Sequence, residues 1–218
     1  MPSRQASPLS VSKVLSAGIS GFRRHDKRLL ARSSYLMAVP ALVLLVNQAT
    51  DSYWLNLLIW LLGLSLGGYA AWPLSRTALA AVSSDRSGRP PRDDWWVRDG
   101  FVRASAAFFL TVSVGTVFLV VPGIMVLMIY SFYPFLIVER RAGGFQALAL
   151  SSELSRGNRM RLLRLVLGCS VFFGPGLALL YLWSSSPWGA IAFWVLGTPA
   201  LAVAAVIMAT AYRTIVRR

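Results

Sequence analysis

Histidine, cysteine and acidic side chains are scarce in this chain, and each scarcity closes off a kind of chemistry. The one cysteine, Cys169, lies in an apolar stretch, so neither an intrachain disulfide nor a thiolate metal cluster can form. The one histidine, His25, lies in the basic run Arg23-Arg24-His25-Asp26-Lys27-Arg28, where a solvated position is expected. A hydrolase needs a nucleophile with its base, or a bound metal. His25 has no obvious partner for either, and no Gly-rich lysine loop of the phosphate-cradling type occurs. The chain shows no catalytic or metal-binding constellation, so the expectation is a protein that is not an enzyme and takes no cofactor. Charge is scarce as well, at 14% of residues, where a soluble domain carries about a quarter. A cleavable signal peptide is not expected either: the first apolar run begins near Tyr35, behind a polar leader, with no small-residue cleavage site after it. The membrane segments themselves are expected to act as insertion signals.

What the chain does have is apolar surface and arginine. The hydrophobic share is 56% and the mean hydropathy +0.60, yet the net charge is +14. Both can hold only if the basic and apolar residues are segregated. About 20 apolar residues cross a bilayer as a helix. Six segments suit that role: 33–48, 53–74, 104–121, 124–138, 162–183 and 188–212. The expected architecture is therefore all-α, a polytopic transmembrane bundle of six spans. It divides into a basic leader (1–32), one membrane domain (33–212) and a basic tail (213–218).

The arginines supply an orientation. Of the 22 Lys and Arg, 21 fall in the leader, the connection between spans two and three, that between spans four and five, or the tail, and the last, Arg164, stands in the first turn of the fifth span beside that connection. The other three connections hold none, and of the eight acidic residues only Asp51 lies in one of them. Basic residues resist translocation, so both termini and both basic connections are expected in the cytosol. The preference for Arg over Lys suits a GC-rich bacterial genome, and the expected location is the bacterial inner membrane. Aromatic residues frame the spans, as interfacial rings do. Tyr53, Trp54, Tyr181, Trp183 and Trp188 are expected at the outer interface, and Trp72, Trp95, Trp96 and Tyr212 at the inner one.

The cytosolic segments carry helical patterns of their own. Val11, Val14, Leu15, Gly18 and Phe22 recur at helical spacing beside basic residues, which predicts an amphipathic helix lying on the inner leaflet. The cluster at 83–91 is a chain breaker, after which Asp93 or Asp94 would cap a helix entering the third span. Phe145, Leu148, Ala149 and Ser152 mark one stripe of another short helix, which Gly157-Asn158 would stop. In the second span Gly63, Gly67 and Ala71 form a strip of small residues suited to close helix packing, and Ala200 and Ala204 form another pair in the sixth.

One stretch is more distinctive. Val121-Pro122-Gly123-Ile124 is followed by Tyr130-Ser131-Phe132-Tyr133-Pro134-Phe135-Leu136-Ile137-Val138-Glu139. Then come Ala147-Leu148, Ser151, Leu154 and Ser155-Arg156-Gly157-Asn158. This pattern resembles a bacterial membrane-protein group related to the membrane domain attached to some glycerophosphodiester phosphodiesterases. The likeness covers 121–165; the earlier spans agree in layout only. It implies membership of a multi-pass family and carries over no active site, since the catalytic histidines and metal-binding carboxylates of such phosphodiesterases are missing here.

These residues also have a direct physical reading. Pro122 and Gly123 are expected to make a tight outer reversal. Pro134 removes a backbone donor and should bend the fourth span. Glu139 stands beside Arg140 and Arg141, where an interfacial ion pair is the simpler expectation and a substrate carboxylate the sharper one. The candidate site is the cytosolic surface around Glu139, Ser151 and Arg156. Two functions compete. One is a non-enzymatic organiser of lipid, anionic lipid included, or of a protein partner or second copy at the cytosolic face. The other is a small permease or exporter component using broken helices, such as the one interrupted at Gly174-Pro175-Gly176 near Ser170. Apart from Arg164 at the start of the fifth, no charged residue falls inside a span, which weighs against ion-coupled transport. The basic residues flank membrane spans and form no folded basic domain, so nucleic acid is not an expected partner.

Overall fold

The computed structural model describes residues 10–50, 52–82, 95–118, 120–139, 142–183 and 186–216. They form eight helices: α1 (Val11–Ala49), α2 (Tyr53–Val82), α3 (Trp95–Phe118), α4 (Val120–Ile129), α5 (Tyr133–Val138), α6 (Gly144–Ser155), α7 (Arg159–Leu182) and α8 (Pro187–Val216). Among the described residues there is no strand, and the fold is all-α. Four helical stretches are long and apolar enough to cross a membrane: Lys27–Ala49, Tyr53–Val82, Arg159–Leu182 and Pro187–Val216. Gly123–Val138 is a shorter apolar stretch. Large apolar side chains point outward, with Trp54 77%, Val171 74% and Tyr181 81% exposed. Such surface requires an apolar solvent.

Packing runs in the order α7, α8, α1, α2, α3, α4, with α5 and α6 tucked against the last members. The core is concentrated toward one end. It gathers Leu29, Trp72, Phe101, Leu162, Val206, Ile207 and Tyr212 around α5. In α5 itself, Tyr133, Phe135, Leu136, Ile137 and Val138 are all buried. A helix apolar all round must be enclosed on all sides, and α5 is enclosed by α2, α3 and α6 with Tyr212 of α8 against Phe135. Rings continue the contact outward. Trp72 meets Phe101 edge-on at 5.1 Å, and Tyr133 lies 5.2 Å from Phe108 and 6.0 Å from Phe101.

Several expectations change. The leader is not a helix separate from the first apolar stretch. α1 continues without a break through position 33, and Val14 and Leu29 are buried. Gly18 and Gly21 let its first half press on α8, where a Cβ at Gly18 would fall 2.7 Å from Ile207 Cγ1 and one at Gly21 3.2 Å from Val206 Cγ1. Apolar spacing alone cannot tell a leaflet from a neighbouring helix. The tail likewise starts inside α8, which carries Arg213. Trp72 and Tyr212, expected at the inner interface, are buried against other helices. The small-residue strip of α2 is displaced. Gly63 meets Val43 of α1, Ala71 is half-buried and Gly67 has no neighbour within 4 Å of a Cβ position. It is Gly68 that approaches α3, with Ser105 Cβ at 2.9 Å. The breaker cluster at 83–91, the caps at Asp93 or Asp94, Arg140 and Arg141, and the side chains of His25, Trp95, Trp96 and Pro122 lie outside the described residues.

Candidate functional site

The distinctive stretch folds as α4, a break, α5, a short connection and α6. The break lies at Tyr130–Phe132, immediately before Pro134, which takes the second position of α5, where a missing N–H costs nothing. A break releases backbone groups, and lipid has nothing to bond them with. The carbonyls of Met128 and Ile129 would ordinarily accept from the amides of Phe132 and Tyr133 four residues on. Here Tyr133 N–H turns to the Tyr130 carbonyl at 3.2 Å, and Phe132 N–H donates to Ser151 Oγ at 3.1 Å. The Ser151 hydroxyl donates in turn to the Ile129 carbonyl at 3.0 Å. Ser155 Oγ lies 3.0 Å from that same carbonyl, 3.4 Å from that of Met128 and 2.8 Å from that of Ser151, with one proton to share among the three. Ser131 Oγ also donates to the Met128 carbonyl, at 3.0 Å. The break is thus bonded from the side by two serines one turn apart on α6.

This gives Ser151 a different role from the one expected. It is fully buried and cannot belong to an accessible surface. The inward stripe of α6 is Ala147, Ser151 and Ser155. Of the stripe expected from the sequence, Phe145 and Ala149 are exposed, while Leu148 and Ser152 are half-buried.

Glu139 caps the far end of α5. Its Oε2 accepts from the Tyr212 hydroxyl at 2.7 Å, and its Oε1 lies 2.9 Å from Arg213 Nη2. The pair is mostly sheltered, with side-chain exposures of 24% for Arg213 and 12% for Glu139. Tyr212 is fully buried, and a buried phenol needs an acceptor. Consecutive residues on α8 therefore grip the two carboxylate oxygens and tie α5 to α8. Glu139 thus pairs with a residue 74 positions on in the chain, a pairing no local pattern announces, while the Arg140 and Arg141 expected beside it lie outside the described residues. Tyr133, at the other end of α5, donates to Ser105 of α3 at 2.9 Å, with both side chains buried.

The remaining candidates separate into two places. Pro122 and Gly123 lie in the first turn of α4 rather than in a turn between helices. They are at the opposite end of α4 from the break, about 12 Å away by helical rise. Arg156 is exposed just past α6. Gly157 follows with φ +82°, the left-handed conformation glycine tolerates. Asn158 is not left-handed (φ −119°) and begins α7, its carbonyl accepting from the amides of Arg161 and Leu162. The structure brings together Pro134, Glu139 and Ser151 around α5, and Arg156, Gly157 and Asn158 at the α6–α7 turn. No family model, characterised protein or solved structure matches this chain, so the family likeness rests on residues 121–165 alone.

Proposed function

We propose that this protein is a six-span bacterial inner-membrane protein with both ends in the cytosol, which organises lipid or a protein partner at the cytosolic face without catalysing a reaction. One observation carries the reading. Among the described residues, the polar groups at the α4–α5 break and on Glu139, the first places a substrate would be received, are engaged by the protein itself. The carbonyls freed at the α4–α5 break are taken by Ser151 and Ser155. Both carboxylate oxygens of Glu139 are engaged from α8. Ser33, Ser75 and Thr210 donate to carbonyls of their own helices. A permease working through broken helices needs such groups turned toward a path. The family likeness over 121–165 supports the same reading, since it points to a membrane domain rather than to an active site.

The test is recovery of bound material. Lipid extracted with the purified protein should be enriched in anionic species relative to the source membrane. Alternatively, a photo-crosslinker at Phe145, exposed on α6, should trap a discrete protein in cells. If neither occurs, and proteoliposomes instead show solute flux that is lost in Pro134→Ala, the permease reading replaces this one.

A further inference from the structure

The start of α7 presents a cationic pair directly below a bare apolar notch. Positions 161, 164, 168 and 172 follow one another at helical spacing and share one stripe. Leu162 and Leu165 are fully buried on the bundle side, which leaves Arg164, Leu167, Val171 and Phe172 exposed. Arg161 is held by Asn158, its Nη1 lying 3.4 Å from Oδ1. Arg164 makes no ion pair among the described residues. No acidic residue follows Glu153 anywhere in the chain, so this segment brings no countercharge of its own. One turn further along, Gly168 leaves open space, with nothing within 4 Å of where a Cβ would stand. Exposed Leu167, Val171 and Phe172 surround that gap. α7 leans on α8 and meets α4 and α1 only marginally, which leaves Arg164, Leu167, Val171 and Phe172 uncovered among the described residues.

Two guanidinium groups at the charged end of a membrane-length helix, followed by a groove of apolar side chains, match the two halves of one kind of molecule. We infer that this stripe seats an anionic phospholipid. The phosphate lies against Arg161 and Arg164, and an acyl chain runs over Gly168 between Leu167 and Phe172. Guanidinium pairs bind phosphate oxygens in a fixed fork geometry. The exposed aliphatic and aromatic groups give the chain a surface that a soluble phosphate could not use. The inference rests on the lipid branch of the proposed function and narrows it to one helix face.

The experiment uses the full-length protein in mild detergent, with phosphatidylglycerol or phosphatidylcholine added and retained lipid read by native mass spectrometry. Wild type should retain phosphatidylglycerol preferentially. Arg161→Gln with Arg164→Gln should lower that retention roughly tenfold or more, while Arg161→Lys with Arg164→Lys, which keeps the charges without the fork, should lose less and report on folding. Gly168→Leu fills the notch without changing charge and should lower retention several-fold. Lys13→Gln with Arg28→Gln, two exposed charges on α1, should change little. The seat is wrong if the Gln pair or Gly168→Leu retains lipid like wild type, or if the α1 pair loses as much. It is also wrong if inorganic phosphate displaces the lipid as well as excess phosphatidylglycerol does, since the acyl half would then contribute nothing. A wild-type protein with no preference for phosphatidylglycerol would instead remove the lipid branch of the proposed function itself.

Discussion

Two serine hydroxyls and one carboxylate hold the α5 unit, and the geometry says how each should respond to substitution. Ser151→Ala removes the acceptor for Phe132 N–H and strands that donor in the core, at a cost of about 1–3 kcal/mol. Ser155→Ala should cost less, because Ser151 still serves the Ile129 carbonyl. In the double variant that carbonyl loses both donors. The combined cost should exceed the sum of the single costs by roughly 0.5 kcal/mol or more, measured by denaturant unfolding in detergent. Strict additivity would mean that the two hydroxyls do not share this acceptor. The Glu139 grip predicts the opposite sign of coupling. Glu139→Gln and Arg213→Gln should each cost about 2 kcal/mol, because each breaks a sheltered ion pair from one side. Together they should cost less than the two costs added, since the same pair can be lost only once.

At the scale of helices, glycines decide how closely two elements approach, and three of them make a graded test. A Cβ at Gly18 would meet Ile207 at Cγ1 and, at 3.1 Å, its Cα, which belongs to the α8 backbone and cannot swing aside. A Cβ at Gly197 would meet the terminal methyl of Met37, the loose end of a flexible side chain. A Cβ at Gly67 would meet nothing. Gly18→Ala should therefore destabilise by about 1–3 kcal/mol, Gly197→Ala by less, and Gly67→Ala not at all. The ranking can be read from thermal midpoints in detergent, and an equal cost at Gly18 and Gly67 would refute the α1–α8 contact. The same positions show what was legible beforehand. The helices themselves, their rough limits, the short α6 and the stop at Gly157 follow from local apolar spacing and breaker residues. Which of two adjacent glycines faces a neighbour does not, because Gly67 and Gly68 fit the same composition and differ only by a rotation of the helix. Nor does local sequence show that Ser151 turns inward or that Glu139 finds Arg213, because those contacts exist only once α5, α6 and α8 are packed. Pro134 was readable as an interruption, but the donors that make the interruption tolerable come from another helix.

For the molecule as a whole, the number of crossings is a matter of the α3–α4 hairpin. α1, α2, α7 and α8 are each long enough to span, and four crossings already return the chain to the side on which it began. Adding α3 and α4–α5 as a pair leaves the termini where they were, so a reporter at the C-terminus cannot distinguish four spans from six. The turn between α3 and α4 can. α3 has 24 residues, about 36 Å of helix, enough to cross a hydrocarbon core of about 30 Å. The return path is less generous. α4 has 10 residues and α5 has 6, about 15 Å and 9 Å, joined through the serine-bonded break. That path reaches across only if the break contributes length instead of folding the chain back, and Glu139 then arrives at the end where Tyr212 and Arg213 receive it. The grip on α8 fixes this end of the path beside Tyr212 and Arg213 of the last helix. A crossing hairpin would therefore put position 119 on the face opposite to them. A single cysteine at Leu119 in a Cys169→Ser background should react with a membrane-impermeant maleimide from the outer side of intact cells, as should one at Asp51. One at Arg217 should react only after permeabilisation. Protection of Leu119 in intact cells, with Asp51 still reactive, would make α3–α4 a re-entrant hairpin and reduce the protein to four spans. The termini would still share one side, and the Glu139 grip would remain in place.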